Sequence, residues 1–548
     1  MSRWKPLIAL GLAQFLVVLD TAVMNVSIST LVADFDTTVA AIQAAITLYT
    51  LVMAAFLITG ATLGDILGRR RAFGIGLVVY AVGSALTAVA PQLWVLVAGW
   101  SVIEGLGGAL VLPALAALVG GNYRGRDRAV AYGVIGGLAG AGIAVGPLVG
   151  GWMTTYLSWR WVFAGEVLIV IAILLMLRWI DDVPAEGPRR RLDVVGAALS
   201  VIGLALVVFG VLQSSAWGWL EPRNPPFTVF GFSPTLFVVA AGLVVLGLLR
   251  GWVRRREARG RDPLVRWELF GIRSLRAALS TLLAQNVILL GIFFTIPLYL
   301  QVVLGMDAFS TGLRLLPVSV TMLVTSMAAP LVNRWAAPRT VARVAFLVLC
   351  GAALWLTAGV QPELDDLTFG LATALLGVGM GLLAGQLGNV AQSSVGESER
   401  SEVGGLQYTA QNLGSSLGTA LIGALLLGGL TTAAANGVGA APVPDSVKQQ
   451  LGTSLETGLP FLSVDQVQGA LTAQGVAPSD VDTLVATYSQ AQLVGLKVGL
   501  LAAAAIALFS LFLTGGLPSR RIAPPTGRAG PTESVPAAVA GGAADGAT

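Results

Sequence analysis

Long apolar stretches follow one another along almost the whole chain, each separated from the next by a short polar or charged segment. Each stretch holds about 20 residues or more, the length that an α-helix needs to cross the hydrocarbon core of a bilayer. We count fourteen of them, at positions 7–29, 39–61, 72–90, 92–119, 130–154, 161–180, 194–213, 234–253, 275–303, 310–331, 341–360, 367–390, 403–429 and 492–515. The pattern therefore predicts an all-α polytopic membrane protein with fourteen transmembrane helices.

Composition and charge placement agree with this prediction. Hydrophobic residues make up 55% of the chain and charged residues 11%, against about 25% charged residues in soluble domains. The net charge of +4 is too small and too scattered for a nucleic-acid partner. Arginines concentrate on alternate connections, at Arg69 to Arg71, Arg124, Arg126, Arg128, Arg189 to Arg191, Arg254 to Arg256, Arg334, Arg339, Arg520 and Arg521. By the positive-inside rule, both termini are predicted to be cytoplasmic.

Several residue types that carry common chemistries are absent. The chain has no histidine and a single cysteine, Cys350, which excludes histidine-based triads, histidine proton relays and an intramolecular disulfide. It also has no GxxxxGK[ST] phosphate-binding loop. We therefore expect no enzyme, no cofactor and no metal, and any energy coupling would come from an ion gradient.

The fifth apolar stretch is unusually rich in glycine. Its sequence GVIGGLAGAGIAVGPLVGGW, at 133–152, places Gly142, Gly146 and Gly150 at fourfold spacing, which forms a small-residue face on a helix. Pro147 removes one helical hydrogen bond and favours a bend beside that face. Two interpretations remain open: an ordinary tight packing seam, or a contact on which two groups of helices move.

A glycine-rich turn follows the second stretch. Gly64, Asp65, Gly68, Arg69 and Arg70 lie within it, and a weaker copy at 330–339 follows a later stretch. The arginines alone would fit an ordinary basic turn, whereas Asp65 between two glycines suits an acid that meets a helix N-terminus or an arginine. The repeat predicts two six-helix halves.

The predicted organisation has four parts. The first six-helix half covers 1–180, and an inserted transmembrane hairpin with its linkers covers 181–273. The second half covers 274–515 and includes an extracytoplasmic loop at 430–491, with a helix start at 479–482. The tail at 516–548 is rich in proline, glycine and alanine, so we expect it to be disordered and cytoplasmic.

These motifs together resemble one family. The segment LDTAVMNV in the first stretch, the turn at 64–71, the segment ending GPLVGG at 142–151, and WRWVF at 159–163 are similar to the fourteen-helix drug:proton antiporters of the major facilitator superfamily. The resemblance covers nearly the whole chain. It implies two six-helix halves plus an inserted two-helix hairpin, and the GPxxGG helix is this family's antiporter signature.

The chain also departs from the family pattern. Ile66 stands in the turn where the family has arginine after its aspartate, and Ser101 stands where the family's fourth helix usually has arginine. The family's glutamine in that helix is replaced by Glu104. The family's arginine-centred account of proton coupling therefore does not carry over.

Three acids lie well within apolar stretches: Asp20, Glu104 and Glu166. A charge at the bilayer midplane costs at least about 2.5–3.5 kcal/mol, and desolvation favours the uncharged carboxyl. We therefore expect Glu104 and Asp20 to bind and release protons near physiological pH, and Glu166 is the third candidate for proton coupling. The alternatives are that Glu104 stays protonated and bonds a neighbouring helix, and that Glu166 simply pairs with Arg160.

The second half supplies amides and aromatic residues instead. Such groups often only join helices, but they also suit a mostly apolar substrate cavity with a few polar points. The candidate cavity residues are Asn25, Gln285, Asn286, Phe293, Tyr299, Gln386, Asn389, Gln407 and Gln411. Acids in a cavity shared with these residues would favour lipophilic cations.

The sequence thus predicts a proton-coupled antiporter that exports small hydrophobic compounds, with cationic ones favoured, by alternating access in the bacterial cytoplasmic membrane. Its partners would be the substrate, protons and lipid, and we expect a monomer. Protonation of Glu104 and Asp20 would compete with substrate, while Asp65 and the glycine face would govern the movement. Alternatives of the same fold are an exporter of a lipid, an amino acid or a self-made antibiotic, and a non-transporting sensor or scaffold.

Overall fold

The computed structural model describes residues 4–123, 125–182, 192–223, 225–396, 399–448 and 461–520. These residues are almost entirely helical. The α-helices are α1 (Lys5–Val26), α2 (Ile28–Asp34), α3 (Val39–Leu67), α4 (Arg69–Ala88), α5 (Leu93–Leu96), α6 (Gly105–Asn122), α7 (Gly125–Tyr156), α8 (Arg160–Met176), α9 (Val194–Trp217), α10 (Pro234–Ala258), α11 (Arg273–Pro297), α12 (Ala308–Trp335), α13 (Pro338–Gly359), α14 (Asp366–Ser393), α15 (Arg400–Ala440), α16 (Val464–Ala473) and α17 (Pro478–Leu513). Two π-helical segments, Val97–Glu104 and Leu298–Val303, continue α5 into α6 and extend α11.

The number of membrane-spanning helices agrees with the prediction. Within the described ranges, thirteen helices are individually long and apolar enough to cross a membrane, and the bent helix α7 makes a fourteenth. Helix α7 bends by 40° between Val134–Ile143 and Val145–Tyr156. Pro147 lacks the N–H that would bond the carbonyl of Ile143, so the bend falls where the sequence removes a hydrogen bond.

The two six-helix halves repeat the same packing. In the first half, α1 packs on α7, α3 on α6, and α4 on both α6 and α8. In the second half the corresponding pairs are α11 on α15, α12 on α14, and α13 on both α14 and α17. The halves meet along two seams, α3 against α15 and α7 against α12. The predicted fold, two such halves with an inserted hairpin, is confirmed.

The inserted hairpin consists of α9 and α10. Helix α9 packs on α10 and also on α3 and α15, so it lies over one of the two seams between the halves. Its contacts there are apolar and involve Leu51, Ala55, Leu204, Val208, Val211 and Ala420. Helix α10 is largely exposed on its outer side. The hairpin therefore attaches to the two halves through α9.

The segment predicted as a loop at 430–491 is partly helical. Helix α15 continues to Ala440 and α17 begins at Pro478, with α16 between them. A small apolar cluster that includes Val438, Val443 and Leu471 joins these parts. The predicted helix start at 479–482 is thus slightly late, because Ala477 occupies the N-cap position. Residues 449–460 and 521–548, including most of the predicted tail, lie outside the described residues.

Candidate functional site

The three intramembrane acids meet in one cluster, which we call the acid cluster. Asp20 comes from α1, Glu104 from the end of the first π segment, and Glu166 from α8. One carboxylate oxygen from each lies within 4.8 Å of the others. Their exposed fractions are 0%, 0% and 1%. Separate positions in the sequence therefore form a single buried site.

Asp20 is held by an aromatic pair. The Trp100 indole Nε1 donates to both carboxylate oxygens of Asp20, at 2.8 and 3.0 Å. The Trp100 ring stacks on the Tyr49 ring with centroids 4.6 Å apart and an angle of 4° between the planes. Donation to both oxygens orients the carboxyl group and favours its role as an acceptor. Trp100 and Tyr49 were not predicted as site residues, because nothing in the sequence pattern distinguishes them from other buried aromatic residues.

Trp100 and Glu104 share the π-helical segment Val97–Glu104. Wider helical turns of this kind are rare and occur frequently at functional sites. A glycine on the facing helix α4 allows the close approach, since a Cβ on Gly83 would lie only 2.7 Å from the Glu104 Cβ. Both Glu104 oxygens and the Tyr80 hydroxyl lack a hydrogen-bond partner among the described residues. Glu104 is therefore a buried acid with unused hydrogen-bonding capacity.

Glu166 belongs to the cluster rather than to Arg160. The Ser84 hydroxyl of α4 donates to Glu166 Oε2 at 2.6 Å. Arg160 instead pairs with Asp34, with 2.9 Å between Nη1 and Oδ2. The alternative of a Glu166–Arg160 pair is wrong for this reason.

No basic side chain neutralises the cluster in the part of the chain that the structure describes. None of the salt bridges there includes Asp20, Glu104 or Glu166. Ser101, which occupies the family's arginine position, donates to the Ala45 carbonyl of α3 at 2.9 Å. Charge on the cluster must therefore be balanced by bound protons or by another cation.

The cluster is enclosed by helices of one half. Its acids and their neighbours come from α1, α3, α4, α8 and the π segment, all of which precede the inserted hairpin. This differs from the expectation that the acids line a cavity shared with the substrate. Burial inside the first half separates the acids from the surface between the halves.

The candidate cavity residues are spread more widely than expected. Gln285 of α11 donates to the Met380 carbonyl of α14 at 3.2 Å, and both amide atoms of the buried Gln386 lack partners among the described residues. Tyr299 differs, because its hydroxyl donates to the Gln361 carbonyl at 2.7 Å, near the end of the helix. Phe293 is buried.

The remaining amides fall into two groups. Asn25 and Asn286 donate to carbonyls of their own helices, at 2.8 and 2.9 Å. Asn389 of α14 is exposed, whereas Gln407 and Gln411 of α15 are half-buried, and Gln407 packs beside Gly388. Gln285, Gln386 and Gln407 therefore lie on the second-half helices α11, α14 and α15, Tyr299 lies in the π segment at the end of α11, and Asn25 lies on α1 of the first half.

The glycine-rich turn is bonded by a carboxylate, Asp182, that the sequence pattern did not indicate. Asp65 pairs with Arg69 over 3.5 Å, and Gly68 has a φ of +96°, which favours glycine. Asp182, after α8, accepts from the Arg70 N–H at 3.3 Å at the start of α4. The helix N-terminus is thus met by Asp182, while Asp65 meets an arginine. Pro330, Asn333 and Arg334 of the predicted copy have side chains outside those described.

The glycine face packs within the first half. A Cβ on Gly142 would meet Val18, and Cβ atoms on Gly146 and Gly150 would meet Ala22 and Val23, all on α1. The seam with the second half lies on another side of α7. There, a Cβ on Gly151 would lie 3.0 Å from the Phe309 Cα, and one on Gly312 would lie 3.2 Å from the Leu148 Cα. The three glycines therefore join helices that belong to the same half.

Hydrogen bonds join the halves at the face opposite the glycine-rich turn. The Ser29 hydroxyl donates to Gln301 Oε1 at 2.5 Å, and Gln301 Nε2 donates to the Val26 carbonyl at 2.7 Å. The Phe309 N–H donates to Thr155 Oγ1 at 3.1 Å. We call Ser29, Gln301 and the Val26 carbonyl the end clamp.

Further bonds cross between the halves deeper in the molecule. They join Gln43 to the Thr419 carbonyl at 2.7 Å, Ser416 to the Thr47 carbonyl at 3.0 Å, Ser319 to the Ile143 carbonyl at 3.3 Å, and Tyr408 to Gln14 at 3.2 Å. Thr47 lies two residues from Tyr49 on α3. Helix α3 therefore contacts both the acid cluster and the second half.

The sequence model of one family, the Major Facilitator Superfamily, matches residues 10–419. The chain belongs to this superfamily. The fold is similar to that of an inward-facing bacterial homologue of the human lysosomal transporter Spinster, with a TM-score of 0.59 at 14% identity over 95% of this chain and 99% of that chain. Similarity at this level of identity shows the fold alone.

Major Facilitator Superfamily relatives with related sequences are named for drug resistance. The chain is 30% identical to puromycin resistance protein pur8 of Streptomyces alboniger, over 78% of this chain and 82% of that protein. It is 28% identical to a tetracenomycin C resistance and export protein of Streptomyces glaucescens, over 77% and 76%. It is 27% identical to multidrug resistance protein Stp of Mycobacterium tuberculosis, over 93% and 90%. The resemblance to the superfamily's drug exporters is confirmed.

Proposed function

We propose that this transporter exports small hydrophobic compounds in exchange for protons, and that the acid cluster carries the protons. The observation that carries the proposal is three buried carboxyls within 4.8 Å of one another, with no salt bridge to a described base. Neighbouring carboxylates repel strongly in a low-dielectric site, so bound protons stabilise the cluster.

Coupling would act through helix positions. The cluster lies inside the first half, so a proton and a substrate need not occupy the same space. Loss of a proton would place like charges on α1, α8 and the π segment and change how these helices pack. Because α1 also packs on α7 and the π segment on α3, the change would reach both seams between the halves. Alternating access by movement of the halves would follow.

The location of the cluster changes the proposed substrate class. Because the acids are buried inside the first half and do not contact the substrate, they would give no electrostatic preference for cationic substrates. The amides at Gln285, Gln386 and Gln407 instead favour neutral compounds with carbonyl or hydroxyl groups on an apolar body. Export of a self-made antibiotic stays a second candidate, since two relatives are named as export proteins for tetracenomycin C and cephamycin.

We further propose a monomer in the bacterial plasma membrane with both termini in the cytoplasm, organised as 1–180, 181–273, 274–515 and 516–548. The arginines of the connections support this orientation by the positive-inside rule. The bacterial relatives that are named for drug resistance support a location in the bacterial plasma membrane.

The proposal is tested with purified transporter in liposomes that carry an imposed pH gradient. We expect gradient-driven movement of a tetracenomycin-type compound, and substrate-induced proton release that a pH dye reports. Glu104→Gln keeps the side-chain size but removes a titrating group, so it should lower the rate of gradient-driven transport about tenfold or more. Glu221→Gln, an exposed acid in the hairpin connection, is the matched control.

Two results would contradict the proposal. Unchanged gradient-driven transport in Glu104→Gln would remove the cluster from coupling. Absence of both substrate flux and proton release across a broad panel of compounds in the wild-type protein would favour a non-transporting sensor or scaffold.

A further inference from the structure

A dense group of arginines follows the membrane span of α10. Between positions 250 and 268 the chain has seven arginines and three acids. Five of the arginines are exposed and form no salt bridge among the described residues: Arg250, Arg254, Arg255, Arg259 and Arg261. We call these five residues the arginine patch.

The other two arginines of the segment are occupied. Arg256 pairs with the buried Asp193 at 3.5 Å and also donates to the Asp262 carbonyl at 3.0 Å. Arg266 pairs with Glu402 at 2.9 Å and with Glu399 at 3.4 Å, which fixes the linker to the start of α15. These ion pairs hold the linker in place, whereas the five arginines of the patch form no ion pair among the described residues.

Two arginines of the patch are arranged around one aromatic ring. The guanidinium groups of Arg250 and Arg254 lie 5.1 and 5.8 Å from the centre of the Trp267 ring. The backbone N–H of Trp267 in turn donates to Glu257 Oε1 at 2.6 Å. Stacking on an aromatic face restricts the side chains while leaving guanidinium donors available. The patch is therefore partly ordered before any ligand binds.

The patch stands at the membrane surface on a helix with little protein around it. The apolar part of α10 exposes Leu236, Phe237, Leu243, Val244 and Leu248, so lipid surrounds this helix. Arg250 follows Leu248 by two residues, and Arg254 by six, which places them at the depth of lipid headgroups. Clusters of four to eight basic residues directly beside a transmembrane helix are typical of sites for anionic lipids.

We propose that the arginine patch binds the phosphate headgroups of anionic phospholipids and thereby anchors the inserted hairpin. The positive-inside rule accounts for basic residues on this face, but it does not require their arrangement around Trp267. Guanidinium groups in a fixed geometry match phosphate oxygens, which accept two parallel hydrogen bonds. The interaction holds α10, which otherwise packs mainly on α9.

The test uses the purified full-length protein in detergent with added phosphatidylglycerol or phosphatidylcholine. Bound lipids are counted by native mass spectrometry, and thermal unfolding is measured at each lipid concentration. We expect tight binding and a raised unfolding temperature with phosphatidylglycerol only. The variant Arg250→Gln/Arg254→Gln/Arg255→Gln should weaken this binding on the order of 100-fold, because each membrane-proximal arginine contributes roughly fivefold.

Two further variants separate lipid recognition from a general loss of charge. Arg273→Gln/Arg276→Gln/Arg520→Gln removes three exposed arginines from the same face and should bind phosphatidylglycerol as the wild-type protein does. Arg250→Lys/Arg254→Lys/Arg255→Lys keeps the charge but loses the planar guanidinium donors, so it should bind phosphatidylglycerol more weakly than the wild-type protein and more tightly than the Gln triple variant. Equal stabilisation by both lipids, or an equal loss in the control triple variant, would overturn the proposal and leave the patch as an orientation signal only.

Discussion

The acid cluster depends on one residue that carries no charge. Trp100 supplies both hydrogen bonds to Asp20 and stacks on Tyr49. A buried acceptor that loses its donor costs about 1–3 kcal/mol. Trp100 therefore positions Asp20, although it does not itself exchange a proton.

Replacement of Trp100 by phenylalanine tests this role. Trp100→Phe keeps an aromatic ring against Tyr49 but removes the indole N–H. Because that N–H stabilises the ionised carboxylate, we expect the pH at which transport is half-maximal to rise. Transport assays from pH 5 to pH 9 in liposomes measure the shift. Trp94→Phe changes an exposed tryptophan at the start of the same span and should leave the profile unchanged; an identical profile for Trp100→Phe would mean that Trp100 only fills space.

At the scale of single helices, α7 has two different sides. Its glycines at 142, 146 and 150 pack on α1, whereas the region from Pro147 to Gly151 meets α12 of the other half. The bend of 40° separates the two segments of the helix. Close packing inside the half and contact between the halves are therefore assigned to different faces of the same helix.

Leucine substitutions at two positions of α7 compare the face that packs on α1 with a position that has open space around it. In Gly146→Leu the new side chain meets Ala22, so overpacking should cost about 1–3 kcal/mol and lower transport strongly. Gly136→Leu is the matched control, since no heavy atom lies within 4 Å of its Cβ position. Thermal unfolding and liposome transport measure both effects. Equal behaviour of the two variants would show that α1 and α7 need not pack closely.

The same scale shows how far the sequence could predict the molecule. Spans of about 20 apolar residues identify the membrane helices because lipid selects for length and hydropathy alone. The continuation of α15 to Ala440 and the early start of α17 at Pro478 could not be predicted this way. There the helices extend beyond the bilayer, and polar residues replace apolar ones.

The acid cluster was predictable only in part. Each acid could be recognised by its depth in an apolar stretch, since burial of a charge is costly. The clustering of the three acids could not be predicted, because α1, the π segment and α8 are distant in sequence and only tertiary packing brings them together. Asp182 and Gln301 gave no signal at all, since each lies at a span end, where polar residues are ordinary.

At the scale of the whole molecule, the end clamp holds the two halves together at one face. The Gln301 side chain accepts from the N–H and the hydroxyl of Ser29 and donates to the Val26 carbonyl, and each hydrogen bond contributes about 1 kcal/mol net. A difference of one or two kcal/mol changes an equilibrium about 5- to 30-fold. The clamp is therefore strong enough to bias which face is closed.

Gln301→Ala should shift the protein toward the state that is open at this face. Spin labels on Ala33→Cys and Glu363→Cys, both exposed there, report the distance between the halves in a Cys350→Ala background. In Gln301→Ala we expect a larger fraction of long distances between the two spin labels, measured by double electron–electron resonance. Gln361→Ala, an amide on the same face with a local bond to Ala358, is the control. An unchanged distance distribution would remove the clamp from the conformational balance.

The position of α9 makes the molecule asymmetric toward the membrane. Since α9 covers the seam of α3 and α15, the seam of α7 and α12 is the one left uncovered among the described helices, and these two helices expose Val145, Trp152, Leu313, Val320 and Val324. Along the described helices, a compound dissolved in the bilayer therefore reaches the boundary between the halves at the seam of α7 and α12. The inserted hairpin thus makes the two lateral sides of the transporter different: one seam is covered by α9 and the other faces the membrane.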